Sequence, residues 1–118
     1  MARRTFFGIF ALQHRGQESA GIAVTDGENL QIHTAMGLVT QIFDEETLSQ
    51  FHGNIAIGHN RYSTTGSSEL CYAQPIRLQS ADGEMALAHN GNVVNAAALR
   101  VALEKQGVQF QTSMDSEA

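Results

Sequence analysis

Two Asp-Gly dipeptides, each placed between two short apolar runs, restrict the fold of this chain more than any other feature. They are Asp26-Gly27 and Asp82-Gly83. Asp-Gly in such a position favours a tight turn, because both residues tolerate the backbone angles that a short hairpin requires. The sequence therefore predicts two antiparallel hairpins, with strands over residues 21–25, 30–36, 75–80 and 85–90.

Helix signals lie around these hairpins. Asp44 and Asn95 are suitable N-caps, and Gly107 is suitable just after a helix end. Gly8 costs the first helix about 1 kcal/mol relative to Ala, which we interpret as a sign of close packing against a neighbour. The predicted helices cover residues 2–12, 45–51 and 95–106, with further strands at 54–58 and 108–112. Strand pairs with helices between them indicate an α+β or layered α/β/β/α domain.

Size and charge exclude several classes of protein. A chain of 118 residues is one domain at most. With a net charge of −5 and Arg3-Arg4 as its only paired bases, it lacks the basic cluster that nucleic-acid binding requires. No apolar run reaches the length of a membrane span, so neither nucleic acid nor a membrane is an expected partner.

The single cysteine, Cys71, rules out an intrachain disulfide or a zinc site built from cysteines. It is compatible with a reducing, cytoplasmic location. No neighbour in the sequence supplies a base that would activate this thiol, so an enzyme using Cys71 as an internal nucleophile is a remote alternative. Because free cysteine is commonly buried, we predict a structural role for it. The five histidines show no metal-binding spacing.

Three polar features are candidates for binding chemistry. In residues 84–98 a short apolar run leads into His89-Asn90-Gly91-Asn92. The Asn90 amide and the Gly91 N–H are two hydrogen-bond donors that suit an oxyanion. Alternatively, Asn-Gly is an ordinary turn dipeptide. Arg61 lies in a polar loop that follows a predicted strand. Its guanidinium would either bind a carboxylate or lie at the surface. Asp115 would pair with an ammonium or be solvated.

Five segments in this order and spacing resemble the glutaminase domain of the amidophosphoribosyltransferase family, a class II glutamine amidotransferase. The resemblance covers essentially the whole chain, and the LQHRGQESAGIA form distinguishes it from related amidotransferase families. The segments are FALQHRGQESAGIAV (10–24), GHNRYSTTG (58–66), AQPI (73–76), AHNGNVVN (88–95) and TSMDSE (112–117).

The resemblance implies an N-terminal-nucleophile fold, a four-layer αββα sandwich, in which an N-terminal cysteine attacks the side-chain amide of glutamine. A thioester forms, ammonia leaves, and water releases glutamate. By motif, Asn90 and the Gly91 N–H would form the oxyanion hole. Arg61, with Thr64, would hold the glutamine α-carboxylate, and Asp115 its α-ammonium. Residues 62–68 match a mobile flap over the bound glutamine.

The chain departs from that pattern at its start, which reads Met1-Ala2-Arg3-Arg4 where the first helix is expected. The strand that carries the nucleophile should lie upstream of Phe7. We therefore expect residues 1–118 to be a partial glutamine amidotransferase type-2 domain that lacks its first strand. Such a piece would be inactive by itself, with an unpaired sheet edge and exposed apolar surface.

The parent would use this ammonia to make phosphoribosylamine in de novo purine synthesis. The expected partners are glutamine, the phosphoribosyltransferase domain of the parent chain, and further copies in a homo-oligomer. No cofactor is expected in this segment, while magnesium is expected for the transferase domain. The alternative is a non-catalytic module that binds glutamine or pairs with another subunit.

Overall fold

The computed structural model describes residues 1–62, 69–80, 83–110 and 112–117. The chain divides into two compact units, Met1–Ala88 and His89–Ala118, which are described in turn. Helices in the described residues are α1 (Ala2–Ala11), α2 (Val39–Ile42), α3 (Glu45–Ser49) and α4 (Ala96–Glu104). Strands there are β1 (Ser19–Thr25), β2 (Leu30–Met36), β3 (Ile55–Arg61), β4 (Ile76–Ser80) and β5 (Gly83–Leu87).

β1 is the central strand of the first unit. It pairs antiparallel with β2 on one side and with β3 on the other. The Asp26 carboxylate closes the predicted β1–β2 turn, accepting hydrogen bonds from the N–H of Asn29 at 2.7 Å and of Glu28 at 2.9 Å. These hydrogen bonds lower the pKa of Asp26 to about 2, and the bond from the Asn29 N–H has the largest effect. The first predicted hairpin is confirmed.

Helices cover one face of this sheet. The face is formed on β1 by Ala20, Ile22 and Val24, all of them at most 1% exposed. α3 begins as predicted, because the Asp44 carboxylate accepts the Thr47 N–H at 2.7 Å. Apolar burial of this kind is the main stabilising term of the unit. The buried core comprises Ala2, Ile9, Ala20, Ile22, Val24, Val39, Ile42, Phe43 and Leu48.

The β4–β5 hairpin lies against the opposite face of the sheet. The Arg77 guanidinium donates to the Leu30 carbonyl at 3.1 Å, which attaches the hairpin to β2. It also donates to the Glu84 carboxylate at 2.8 Å, within the hairpin itself. The segment preceding β4 comes so close to β1 that a Cβ on Gly21 would lie 2.4 Å from the Gln74 carbonyl oxygen. β1 is therefore enclosed on both faces. The second hairpin is confirmed, but β5 covers Gly83–Leu87 instead of the predicted residues 85–90; Asp82 lies outside the described residues.

An apolar groove of about 270 Å³ lies between the far end of the sheet and β5. Ile55 and Ile57 line it from β3 and are 60% and 37% exposed; Met85 lines it from β5. Within the described residues β3 pairs with β1 alone. Within the described residues, β3 therefore has one edge without a strand partner, beside exposed apolar side chains.

The second unit is built around α4, none of whose residues is buried. Gly107 ends the helix with φ +90°, and its N–H donates to the Glu104 carbonyl at 2.9 Å, as expected of a residue just after a helix. Val108 N–H donates to the Leu103 carbonyl at 3.1 Å. Among the described residues of this unit, Met114 is the buried apolar one.

Several sequence-based expectations are wrong. Residues 108–110 form no strand, because the Val108 N–H turns back onto α4. Asn95 precedes α4, but its side chain makes no capping hydrogen bond. A Cβ on Gly8 would have no atom within 4 Å, so this glycine marks no close packing. β3 continues through Arg61, which was expected in a loop.

In the portion of the chain that the structure describes, no helix combines the length and the apolar character needed to cross a membrane.

Gly21 and Gly8 offer a matched pair of substitutions. Gly21→Ala should destabilise the first unit strongly, because the added methyl group overlaps backbone that cannot move independently. Gly8→Ala should raise stability by up to about 1 kcal/mol, since its Cβ meets open space within a helix. Urea unfolding of both variants tests this. Equal effects of the two substitutions would contradict the enclosure of β1.

Candidate active site

Arg61 is the last residue of β3 and lies opposite Ser19 in the β1–β3 register. The Glu18 N–H donates to the Arg61 carbonyl at 3.2 Å. A Cβ on Gly16 would lie 2.7 Å from the Arg61 carbonyl carbon and oxygen, so only glycine permits this approach. The segment between α1 and β1 therefore fixes the backbone of Arg61.

Gln13 holds that segment in place. Its side-chain Nε2 donates to the Gly16 carbonyl at 2.8 Å, and its Oε1 accepts the Val39 N–H at 2.7 Å. One amide thus joins the turn before β1 to the start of α2. The glutamine of the LQHRG motif has a structural role here, which supports the position of Arg61.

Three groups orient the Arg61 guanidinium. Its Nη1 donates to the Tyr72 carbonyl at 2.9 Å, and its central carbon lies 5.4 Å from the centre of the Tyr72 ring. Its Nε lies 3.8 Å from Glu18 Oε1, and both side chains are 15% exposed. This is a partly buried cation in a fixed orientation, which suits recognition of a planar anion.

On the face of the sheet that carries Arg61, two buried polar atoms lack a hydrogen-bond partner among the described residues. They are the Arg61 Nε and the Ser19 Oγ, which belong to facing positions of β3 and β1. Buried polar groups are almost always paired, and exceptions ask for an explanation. The Arg61 Nε and the Ser19 Oγ are therefore two buried polar atoms for which the described residues supply no hydrogen-bond partner.

Thr64, the expected partner of Arg61, lies outside the described residues, as do residues 63–68 of the expected flap. Tyr62, where the flap was expected to begin, follows β3 directly and is exposed. The roles of Thr64 and of the flap stay predictions.

Asn90 and Gly91 belong to the second unit and are both exposed, in a bend that precedes α4. A Cβ on Gly91 would lie 2.6 Å from His89 Nε2, so the imidazole folds back over the glycine. A bend with a glycine leaves its N–H accessible to a ligand. The arrangement is compatible with an oxyanion hole, and that role stays a prediction.

Asp115 lies in a single 3₁₀ turn, Asp115–Glu117. Its Oδ2 accepts the Val93 N–H at 2.6 Å, which brings the carboxylate to the segment just after the Asn90-Gly91 bend. Among the described residues Asp115 has no ion pair, so its negative charge is available to a cation. The structure brings Asp115 and the Asn90-Gly91 segment together within the second unit; Arg61 belongs to the first.

Four residues that support these side chains were not predicted from the sequence. They are Glu18 and Tyr72 beside Arg61, and Arg100 and Glu117 beside the Asp115 turn. Glu18 and Glu117 lie inside the QHRGQES and TSMDSE segments, which was the one available signal. Tyr72 and Arg100 come from elsewhere in the sequence, and no local pattern identifies them.

Cys71 is exposed, so the burial expected for it is wrong. It lies in a short 3₁₀ turn, Leu70–Tyr72, and its Sγ is 3.7 Å from Glu69 Oε2. The described residues contain no group of three or more His, Cys, Asp or Glu side chains arranged to hold a metal ion.

Solved structures share this fold. The chain superimposes with a TM-score of 0.85 on a glutamine phosphoribosylpyrophosphate amidotransferase from Bacillus subtilis, complexed with ADP and GMP, at 49% identity. The TM-score is 0.88, at 50% identity, for a structure described as the allosteric regulatory enzyme of purine biosynthesis. Both matches cover 98% of this chain and 25% of the other. These neighbours confirm the expected class, an α+β fold of the N-terminal-nucleophile type with antiparallel sheets.

The family follows from the sequence comparisons. The profile of the glutamine amidotransferase domain matches residues 43–118. Amidophosphoribosyltransferases from Synechococcus elongatus and Methanocaldococcus jannaschii are 54% and 50% identical over 117 residues, which is 99% of this chain. The chain belongs to the glutamine amidotransferase domain family, as the resemblance indicated. It spans about a quarter of the length of these curated relatives, 24% and 25% respectively.

Proposed function

We propose that this chain is the glutaminase domain of an amidophosphoribosyltransferase, which supplies ammonia from glutamine for phosphoribosylamine formation. The observation that carries the proposal is the Arg61 guanidinium, partly buried, fixed by Glu18 and Tyr72, and with its Nε lacking an acceptor among the described residues. The relatives named amidophosphoribosyltransferase support the reaction.

The α-carboxylate of glutamine is the anion that Arg61 would bind. A guanidinium and a carboxylate form two parallel hydrogen bonds, and this pairing is stronger where water is partly excluded. Glu18 and Tyr72 hold the guanidinium before the ligand arrives, so little rotamer entropy remains to be lost on binding. Thr64 would add a contact to the same carboxylate.

The remaining roles fall to the second unit. Asp115, whose carboxylate has no ion pair among the described residues, would bind the α-ammonium of glutamine. The Asn90 amide and the Gly91 N–H would stabilise the oxyanion that forms when a nucleophile attacks the side-chain amide. Preorganised donors of this type commonly contribute about 3 kcal/mol to lowering a barrier.

The parent protein would contain more than this domain, since the relatives are about four times as long. The phosphoribosyltransferase domain of that parent is the proposed acceptor of the ammonia, with magnesium acting there. Assembly of the parent into a homo-oligomer and a cytoplasmic location belong to the same proposal. The step would be the entry to purine synthesis.

Glutamine binding tests the role of Arg61. Titration calorimetry should detect glutamine binding by the 118-residue chain, and Arg61→Lys should weaken it at least about tenfold, because an ammonium cannot make the paired contact. Arg4→Lys is the matched control, since Arg4 is an exposed arginine on α1. Equal affinities of Arg61→Lys and the unmodified protein would refute the assignment.

Glutamate release tests the nucleophile. The polypeptide of these 118 residues should release no glutamate from glutamine, because its one thiol, Cys71, is exposed and is not at an N-terminus, where the family resemblance places the nucleophile. Adding an upstream strand that begins with cysteine, as in the family resemblance, should restore release. Cys71→Ser is the control and should change neither result.

If the unextended chain releases glutamate and Cys71→Ser abolishes that release, Cys71 is the nucleophile and this proposal is refuted. An extended chain that folds and stays inactive would contradict the assigned site. If the chain binds glutamine tightly while the extended protein remains inactive, the alternative of a non-catalytic glutamine-binding module is favoured.

A further inference from the structure

Arg100 on α4 is surrounded by acceptors from residues 112–117. Its Nη2 donates to the Thr112 carbonyl at 2.5 Å and to the Met114 carbonyl at 3.1 Å, and it lies 3.3 Å from Glu117 Oε2. The guanidinium stacks on Phe110, with its central carbon 4.2 Å from the centre of the ring. One arginine thus joins the helix to both ends of the segment.

Glu117 closes the same segment on itself. Its Oε2 accepts the Thr112 N–H at 2.8 Å and the Thr112 Oγ1–H at 2.6 Å. The Met114 N–H donates to Thr112 Oγ1 at 3.1 Å, so a hydrogen-bonded loop runs from Thr112 to Glu117. The Glu117 side chain is only 8% exposed, and such partly buried charge-assisted bonds are stronger than exposed ones.

Asp115 lies inside this loop but takes no part in its ion pair. Arg100 neutralises Glu117, whereas Asp115 has no ion pair among the described residues and accepts the Val93 N–H instead. Two acidic residues only two positions apart therefore have different surroundings. The charge of Glu117 is used within the fold, and that of Asp115 remains available.

We propose that Arg100 and Glu117 are positioning residues, which hold residues 112–117 so that the Asp115 carboxylate stays against Val93 and faces an incoming ammonium group. The backbone on either side of Asp115 is fixed, at Met114 by Arg100 and at Glu117 by the closed loop. That the ammonium belongs to glutamine rests on the proposed function. The positioning of Asp115 itself does not.

Amide hydrogen exchange tests the positioning without any ligand. Glu117→Gln should speed exchange of the Val93 N–H at least about tenfold relative to the unmodified chain, while the α4 amides of Val101 and Leu103 stay within about twofold. Glu104→Gln, an exposed change on the same helix, is the matched control and should alter neither. Arg100→Lys retains the charge but loses the planar fork, so it should act in the same direction.

Unchanged exchange at Val93 in both Glu117→Gln and Arg100→Lys would overturn the proposal. Equal acceleration at Val93, Val101 and Leu103 would also overturn it, because it would mean that these residues only stabilise the unit as a whole.

A ligand experiment separates this proposal from the proposed function. Calorimetry would compare L-glutamine with glutaric acid monoamide, which has the same carboxylate and amide but no α-amine. Glu117→Gln should lower the affinity for glutamine at least about fivefold and leave the affinity for the analogue unchanged. An equal loss of affinity for both ligands would overturn the positioning role. If the unmodified chain binds no glutamine but Val93 exchange responds as expected, the proposed function fails and the positioning of Asp115 stands.

Discussion

Enclosure of β1 on both faces is the constraint on which the first unit depends. Six of the seven residues of this strand are buried, which is typical of a strand covered by other layers on both sides. Ile22 and Val24 fill the helical side, while Gly21 on the other side lets the segment before β4 approach closely at Gln74. The alternation of large and small side chains thus sets how closely the layers approach.

The same strand fixes the candidate carboxylate site. A one-residue shift would exchange the two faces of β1, so its alternation of large and small side chains, with Ile22 and Val24 on one face, favours the observed alignment with β3. That alignment places Arg61 opposite Ser19, on the face that lies toward Tyr72. An arginine at this depth needs its charge balanced, which Glu18 does at 3.8 Å. The packing of β1 in the core therefore also determines the orientation of the Arg61 guanidinium.

Local signals predicted what local interactions determine. The Asp26 turn, the Asp44 cap and the Gly107 helix end each depend on contacts within a few residues, and each was predicted from the sequence. The features that were not predicted depend on contacts between residues far apart in the sequence, or on the lack of such contacts. The pairing of Arg61 with Glu18 spans 43 positions, and no pattern shows that Gly8 faces open space. The motif segments identified the candidate site residues, but not the groups that hold them.

The face of the sheet that carries Arg61 changes character along its length. Ser19, His59 and Arg61 lie at one end, and Ala23, Thr25, Ile55 and Ile57 at the other, all on the side opposite the helical core. At the first end the Arg61 Nε and the Ser19 Oγ have no hydrogen-bond partner among the described residues, and at the second the side chains form a mainly apolar groove, which stabilises chiefly through contact area. The proposed site for a charged ligand is therefore at the Ser19–Arg61 end. The apolar end has the properties of a packing surface, and exposing it to water costs stability.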